Sequence, residues 1–237
     1  MKRILSLVLV LTLLISTSAL CFAETTMTTK TMGNEVEEAI EKIKPVYVKM
    51  YNTLSIDEKE NELLRIGESY TEGNILSEKD SAFILLNLKE AKTIRDNTPT
   101  TRAGSSSKWY DVYKTQYGVR VNLYGNMKQD IAFIAGSSEF GGSAVLYKSE
   151  GDISKVKLEI FHTAYGLIGT SAPFVGVLYN GNVSMEKDHS LSTTRMDKTV
   201  EYGSILPVYT TMYARATVTT QSGDEFTVKS STWKKFH

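Results

Sequence analysis

Apolar residues recur at helical spacing in the first part of the chain, between residues 35 and 97. Spacings of three and four positions, which mark one face of a helix, connect Val36, Ile40, Ile43, Tyr47 and Met50. Pro45 lies inside this series, and a kink or division is predicted there because proline lacks the backbone donor that a helix interior needs. Residues 35–97 are therefore predicted to form three helices.

Two helix starts in this region are marked by their capping residues. Ser55 and Glu58 have the S-x-x-E spacing of a capping box, and this helix is predicted to end at Gly67. Ser77 precedes acidic residues, which stabilise a helix N-terminus. The apolar run that follows, residues 82–88, is almost unbroken. It indicates a helix buried on most of its surface, with a strand as the alternative for that run alone.

The pattern changes to alternation beyond residue 107. Residues 155–160 alternate strictly, so their apolar members share one face of a strand. Asn180-Gly181 predicts a hairpin turn, and residues 222–224 are predicted to separate two further strands. Nine to ten short strands are expected at the spacing of a sandwich or a barrel. The predicted fold class is α+β: a short N-terminal helical region followed by a C-terminal antiparallel β-sandwich, jelly-roll or Ig-like, with a barrel as the alternative.

The N-terminus has the layout of a signal peptide. Lys2 and Arg3 precede an apolar stretch over residues 4–15, and Cys21-Phe22-Ala23 fits a small-x-small cleavage site. The apolar stretch is shorter than the roughly 20 residues that span a bilayer. A lipid anchor on Cys21 is disfavoured because Leu20 stands where a small residue is expected. Cleavage leaves a chain without cysteine, which suits secretion from a Gram-positive bacterium.

Composition divides the mature chain into segments. Residues 24–34 are predicted to be a flexible leader and 35–97 the helical region. Residues 98–107, rich in Ser and Thr with one Pro and one Gly, are predicted to be a linker before the β-domain at 108–237. Arg102 is a candidate cleavage point, which leaves open a prosegment role for the helices. The helical half is acidic and the β half is basic, so opposite charges favour their docking.

The search for reactive groups is mostly negative. The formal net charge of zero gives no reason to expect nucleic-acid binding. One cysteine excludes a disulfide framework, and His162, His189 and His237 have no metal-ligand spacing, so neither a metal nor a cofactor is predicted. His162 is interpreted as a strand-end residue. Enzyme activity is the less favoured class; a secreted hydrolase with an unidentified site requires two carboxylates to converge, from among Glu139, Glu159, Glu186, Asp188 and Glu201.

Aromatic residues offer more material for binding. Four of them are the predicted ligand-binding residues: Trp109, Tyr110, Tyr113 and Trp233. Trp109 and Tyr113 would share one face of a strand, and aromatic rings suit sugars, peptides or membrane interfaces. The favoured hypothesis is a secreted, non-enzymatic binding or adhesion protein at or outside the cell surface, whose partner is a glycan, a wall polymer or a protein. The alternative is a membrane-acting, β-toxin-like protein, suggested by the Ser- and Thr-rich residues 190–232.

Overall fold

The structure is a computed structural model that describes residues 29–96, 106–131, 137–168, 174–188, 192–203 and 207–236. The predicted signal peptide and residues 98–105 of the predicted linker lie outside this part. Val36–His237 forms one compact unit, which contains all the described strands and the helices beyond the first. Met1–Glu35 is assigned to a second unit, of which only the start of the first helix is described.

Four helices lie in the described N-terminal part: α1 Thr29–Glu41, α2 Pro45–Thr53, α3 Ile56–Ser69 and α4 Glu78–Asp96. Pro45 divides the helical pattern as predicted, because it occupies the first turn of α2, where its missing donor costs nothing. That division gives four helices instead of three. α1 begins at Thr29, inside the segment that composition predicts to be a leader.

Local capping signals form as the sequence predicts. At the start of α3, the Ser55 hydroxyl accepts from the Glu58 backbone N–H at 3.3 Å, and the Glu58 carboxylate accepts from the Ser55 N–H at 2.8 Å. The predicted end of α3 at Gly67 is wrong, since the helix continues to Ser69. In α4, every side chain from residue 80 to 88 is buried, so the helix is covered on all sides along this run.

The described residues beyond α4 form nine strands, and all the pairings among them are antiparallel. They are β1 Ser106–Gln116, β2 Val119–Asp130, β3 Ser138–Glu150, β4 Ile153–Ile168, β5 Phe174–Asp188, β6 Thr193–Tyr202, β7 Tyr209–Thr220, β8 Glu225–Lys229 and β9 Trp233–Phe236. Sheet I has the order β1-β2-β3-β6. Sheet II has the order β5-β4-β7-β8, and β9 also pairs with β7. The α+β class with a sheet-rich C-terminal part is confirmed.

Alternate side chains of both sheets enter one shared core. Leu123 and Leu146 of sheet I and Leu158 and Val218 of sheet II have no exposed surface and belong to the same buried cluster. Each such side chain contributes roughly 1.5–3 kcal/mol through removal of apolar surface from water. The opposite positions of each strand are thereby directed away from this core.

The Asn180-Gly181 pair does not form a turn, contrary to the sequence prediction. Both residues lie inside β5, where they face Thr163 and His162 of β4. The Asn180 amide donates to the backbone oxygens of Gly67 at 2.9 Å and Tyr70 at 2.7 Å, so it fastens the end of α3 to sheet II. A Cβ at Gly181 would lie 2.4 Å from the Tyr179 hydroxyl oxygen. Packing therefore favours this Asn-Gly sequence inside a strand.

The helical region packs on sheet II through contacts of opposite charge. Glu68 of α3 lies 3.7 Å from Arg215 of β7 and 3.6 Å from Lys229 of β8. The Tyr213 hydroxyl donates to the same carboxylate at 3.2 Å. The acidic helical region thus contacts basic side chains of the β region at this point.

Candidate functional site: an aromatic face on sheet I

Four large aromatic side chains project from the side of sheet I that faces away from the shared core. Trp109 is 73% exposed, Tyr113 63%, Tyr124 38% and Tyr147 45%. We call this group the aromatic face. Its members come from β1, β2 and β3, and β2 lies between the other two strands. Tryptophan is highly buried on average in folded proteins, so this concentration of exposed rings is unusual.

The strand register sets the spacing of these rings. Asp111 of β1 lies directly opposite Tyr124 of β2, which places Trp109 and Tyr113 on the two diagonals from Tyr124. Tyr147 of β3 lies opposite Asn122, two residues from Tyr124, and so occupies a third diagonal. Diagonal neighbours on one face of a sheet are about 7–8 Å apart. Trp109, Tyr124 and Tyr147 therefore form a row that crosses three strands obliquely.

Amide side chains alternate with the rings. Asn122 lies opposite Tyr113 on one side and Tyr147 on the other, while Asn126 lies between Trp109 and Ser143. The Asn126 side-chain oxygen accepts from the Ser143 hydroxyl at 2.8 Å and from its backbone N–H at 3.1 Å. This fixes the Asn126 amide group beside Trp109. The face thus offers flat apolar rings with hydrogen-bonding groups between them.

Beneath the aromatic face, sheet I is well packed. Val121, Leu123 and Met127 of β2 alternate with the outward residues and have no exposed surface. β2 is paired with a neighbour on each side over almost its whole length. A central strand anchored in this way holds its outward side chains at fixed spacing, which favours recognition of an extended, regular ligand.

The four sequence-predicted ligand-binding residues have different surroundings. Trp109 and Tyr113 share the exposed face of β1, as the alternation predicts. Tyr110 is buried, and its hydroxyl donates to the Ser143 backbone oxygen at 2.9 Å. Burial raises the pKa of Tyr110. Trp233 of β9 is half-buried and packs against the shared core. Tyr110 and Trp233 therefore lie outside the aromatic face.

The sequence pattern does not identify Tyr124 and Tyr147 as members of this face. The one indication in the sequence is alternation: each tyrosine takes a position where the strand directs its side chain away from the core. Alternation shows which residues of one strand share a face, but it does not show which residues of another strand lie beside them. The register of β1, β2 and β3 makes these two tyrosines neighbours of Trp109 and Tyr113.

Charge on this side of sheet I is mainly negative. Away from the β1–β2 turn, the exposed outward positions include five acidic side chains, Asp111, Asp130, Glu139, Asp197 and Glu201, and two basic ones, Lys128 and Arg195. Asp130, Glu139 and Glu201 lie directly opposite one another on β2, β3 and β6. Such an arrangement disfavours anionic ligands through like-charge repulsion.

His162 is a core residue, and its interpretation as a strand-end residue is wrong. It lies within β4, fully buried, with its Nε2 2.9 Å from the Tyr202 hydroxyl oxygen and its ring stacked on Phe140 at 4.9 Å. Burial lowers the pKa of His162 to about 3, so the ring is neutral at physiological pH. His189 and His237 lie outside the described residues. In the described ranges, no group of three or more His, Cys, Asp or Glu side chains could hold a metal ion.

Among the carboxylates considered for a hydrolase, Glu159 has a structural role. It is buried and lies 2.8 Å from Arg215 and 2.9 Å from Lys157, and it accepts from the Asn182 amide at 3.1 Å. Glu186 is exposed and paired with Lys155 at 2.9 Å. Buried carboxylates are stable when charged partners and donors surround them, as they do Glu159. Glu159 and Glu186 are therefore interpreted as members of ion pairs on sheet II, and not as catalytic carboxylates.

A groove of about 500 Å³ lies among α2, α3 and α4. Its apolar lining comprises Tyr47, Met50, Tyr51, Leu54 and Phe83. Arg65 at its edge is paired with Glu62 at 2.8 Å, and Lys79 with the same carboxylate at 3.3 Å. The charged groups at this edge are thus paired with each other, and the groove carries no excess of either charge to select a ligand.

No protein-family model matches the chain, and no curated protein is significantly similar to it in sequence. Within the described helices, none combines the length and apolar character needed to cross a membrane.

Proposed function

We propose that this protein is exported and binds glycans, without enzymatic activity, at or outside the bacterial cell surface. The observation that carries the proposal is the oblique row of exposed rings formed by Trp109, Tyr124 and Tyr147, with Tyr113 beside it. A sugar ring has apolar C–H faces and polar edges. Aromatic rings with hydrogen-bonding groups between them complement both features.

Export is proposed from the signal-peptide layout of residues 1–23. Outside the cell, an insoluble polysaccharide offers many equivalent binding positions to a face of this kind. Weak stacking interactions at several rings together keep the protein on the polysaccharide, because one polysaccharide chain contacts all the rings simultaneously.

Among sandwich types, an immunoglobulin-like arrangement is supported over a jelly roll. In immunoglobulin domains strand B pairs with E in one sheet and strand C pairs with F in the other. Here β3 pairs with β6 in sheet I and β4 pairs with β7 in sheet II. These four strands therefore correspond to B, E, C and F, and β8 beside β7 corresponds to G. β5 beside β4 departs from the constant-type order, in which the strand after C joins the other sheet.

The test is co-sedimentation of the purified protein with insoluble peptidoglycan, chitin and cellulose, with liposomes in parallel. Binding to at least one polysaccharide is expected, and Trp109→Ala or Tyr124→Ala is expected to lower the affinity at least tenfold. The matched control is Phe174→Ala, since Phe174 is an exposed aromatic residue of sheet II. Absence of binding to all three polysaccharides contradicts the proposal. Binding to liposomes alone favours the membrane-acting alternative.

A further inference from the structure

We infer that the aromatic face selects N-acetylated amino sugars and that Asn122 accepts a hydrogen bond from the acetamido group. This inference rests on the proposed glycan binding and specifies its substrate class. Its starting point is the Asn122 side-chain oxygen, which is buried and has no hydrogen-bond donor among the described residues. A buried acceptor without a donor is destabilising, so a ligand group that supplies an N–H gains that interaction without breaking an existing one.

The surroundings of Asn122 restrict the donor. Tyr113 and Tyr147 lie directly opposite it on the two neighbouring strands and project from the same face. Both rings are well exposed, and exposed side chains change rotamer within nanoseconds. Separation of these rings opens a slot with an acceptor at its base and aromatic walls. An acetamido group fits this slot, because its N–H donates to the Asn122 oxygen while its methyl group packs between the rings.

A plain hydroxyl group satisfies only part of this arrangement. It donates to the Asn122 oxygen but places no methyl group between Tyr113 and Tyr147. Sites that combine a polar contact with an apolar one discriminate against a ligand that lacks either. A glycan with acetamido groups is therefore preferred over one of the same length with hydroxyl groups at those positions.

The negative charge of the aromatic face disfavours wall polymers that carry phosphate or uronate groups. Asp111 lies between Trp109 and Tyr113 along β1 and directly opposite Tyr124, at the centre of the aromatic face. A carboxylate there accepts hydrogen bonds from sugar hydroxyls and repels phosphate or uronate groups. Together with the acidic excess on the same side of sheet I, this selects an uncharged glycan over an anionic one.

The experiment compares soluble chitin and cellulose oligosaccharides of equal length by calorimetric titration of the purified protein. The two ligands differ in the acetamido group that replaces one hydroxyl of each sugar. At least tenfold tighter binding of the chitin oligosaccharide is expected. Asn122→Leu is expected to abolish that preference, because the acetamido methyl group is held between the rings only while its N–H is bound to the Asn122 oxygen; chitin binding then falls more than cellulose binding. Asn122→Asp keeps an acceptor oxygen and is expected to retain the preference. Thr115→Leu, an exposed position of β1, controls for an added apolar side chain.

Each outcome separates this inference from the proposed function. Equal binding of both oligosaccharides, lost in Trp109→Ala, overturns acetamido selection and leaves glycan binding intact. A preference that survives in Asn122→Leu, with a melting temperature equal to that of the unmodified protein, removes Asn122 from the selection. If Asn122→Leu does not fold, the comparison of the two oligosaccharides still decides whether the protein selects the acetamido group. Absence of binding to either oligosaccharide overturns this inference, and only the co-sedimentation result then bears on the proposed function.

Discussion

The Tyr110 hydroxyl on β1 reaches past Gly125 on β2 to the Ser143 backbone oxygen on β3, which it contacts at 2.9 Å. Gly125 has a φ of +154°, and a Cβ at this position would lie 2.0 Å from the Ser143 oxygen and 2.9 Å from the Tyr110 hydroxyl. Glycine at this position thus permits a hydrogen bond that spans three strands. The same three strands carry the aromatic face on their other side.

Gly125→Ala is expected to destabilise the protein by about 2–6 kcal/mol, because backbone strain and overpacking each cost about 1–3 kcal/mol. For a chain of this length the melting temperature falls by about 4–24 °C. Thermal denaturation followed by circular dichroism measures the change. Gly203→Ala is the control, since a Cβ there has no atom within 4 Å. Equal melting temperatures for both variants would show that β1, β2 and β3 approach less closely than described.

Tyr110→Phe separates a structural role from a binding role. Loss of the hydroxyl leaves the Ser143 oxygen without this donor, and a stability decrease of about 1 kcal/mol is expected in urea denaturation. Glycan affinity is expected to remain within twofold, because Tyr110 is buried on the core side of β1. A variant of unchanged stability that no longer binds glycan would place Tyr110 in the ligand site after all.

His162 makes the stability of the fold depend on pH. Burial lowers its pKa to about 3 in the folded protein, against about 6.5 in an unfolded chain. Between these values the unfolded state binds a proton that the folded state does not. Above pH 6.5 the ring is neutral in both states, so the free energy of unfolding has its full value with respect to His162. As the pH falls from 6.5 toward 3, that free energy decreases by up to about 1.4 kcal/mol per pH unit.

Urea denaturation at pH 7 and pH 5 checks this dependence. In that window carboxylates such as Glu62, whose pKa is lowered by its hydrogen bond to Arg65, remain ionised and contribute little. His162→Gln is expected to be less stable at pH 7 because its packing against Phe140 is lost, but to lose less further stability at pH 5. The same pH dependence in both proteins contradicts the assignment to His162.

Lysines protect the two edges of sheet I. In the described part of the chain, β1 and β6 are the edge strands. Lys114 of β1 donates to the Thr227 oxygen at 2.8 Å, and Lys198 of β6 donates to the Ser184 oxygen at 2.7 Å, both on sheet II. Inward-pointing charges on edge strands oppose pairing between molecules. Lys114→Val is therefore expected to increase self-association, measured by sedimentation velocity over a concentration series.

The control for this prediction is Lys128→Val, which removes an exposed lysine from β2, a strand paired on both sides. Net charge changes equally in the two variants, so a difference in their self-association is due to the position of Lys114 on an edge strand. Self-association of similar strength in both variants, or in neither, contradicts a protective role for Lys114.

Local chemistry explains why several elements are predictable. The capping box of Ser55 and Glu58 acts over three residues, and the effect of Pro45 acts within one turn of helix. Burial of residues 80–88 in α4 follows from the apolar run, because a helix segment with such a surface must be covered. Asn180-Gly181 shows the limit of such signals: contacts with α3 and Tyr179 keep this pair within a strand.

The sequence by itself determined that a helical region precedes the β region and that alternation directs Trp109 and Tyr113 to one side of β1, because these depend on neighbours a few residues apart. Only the tertiary structure decided that Tyr124 and Tyr147 join them, that Asn122 lies between two tyrosines, and that Tyr110 is buried. The physical reason is strand register. A shift of one residue in pairing exchanges the two faces of a strand, and the register is set by packing of both sheets around the shared core.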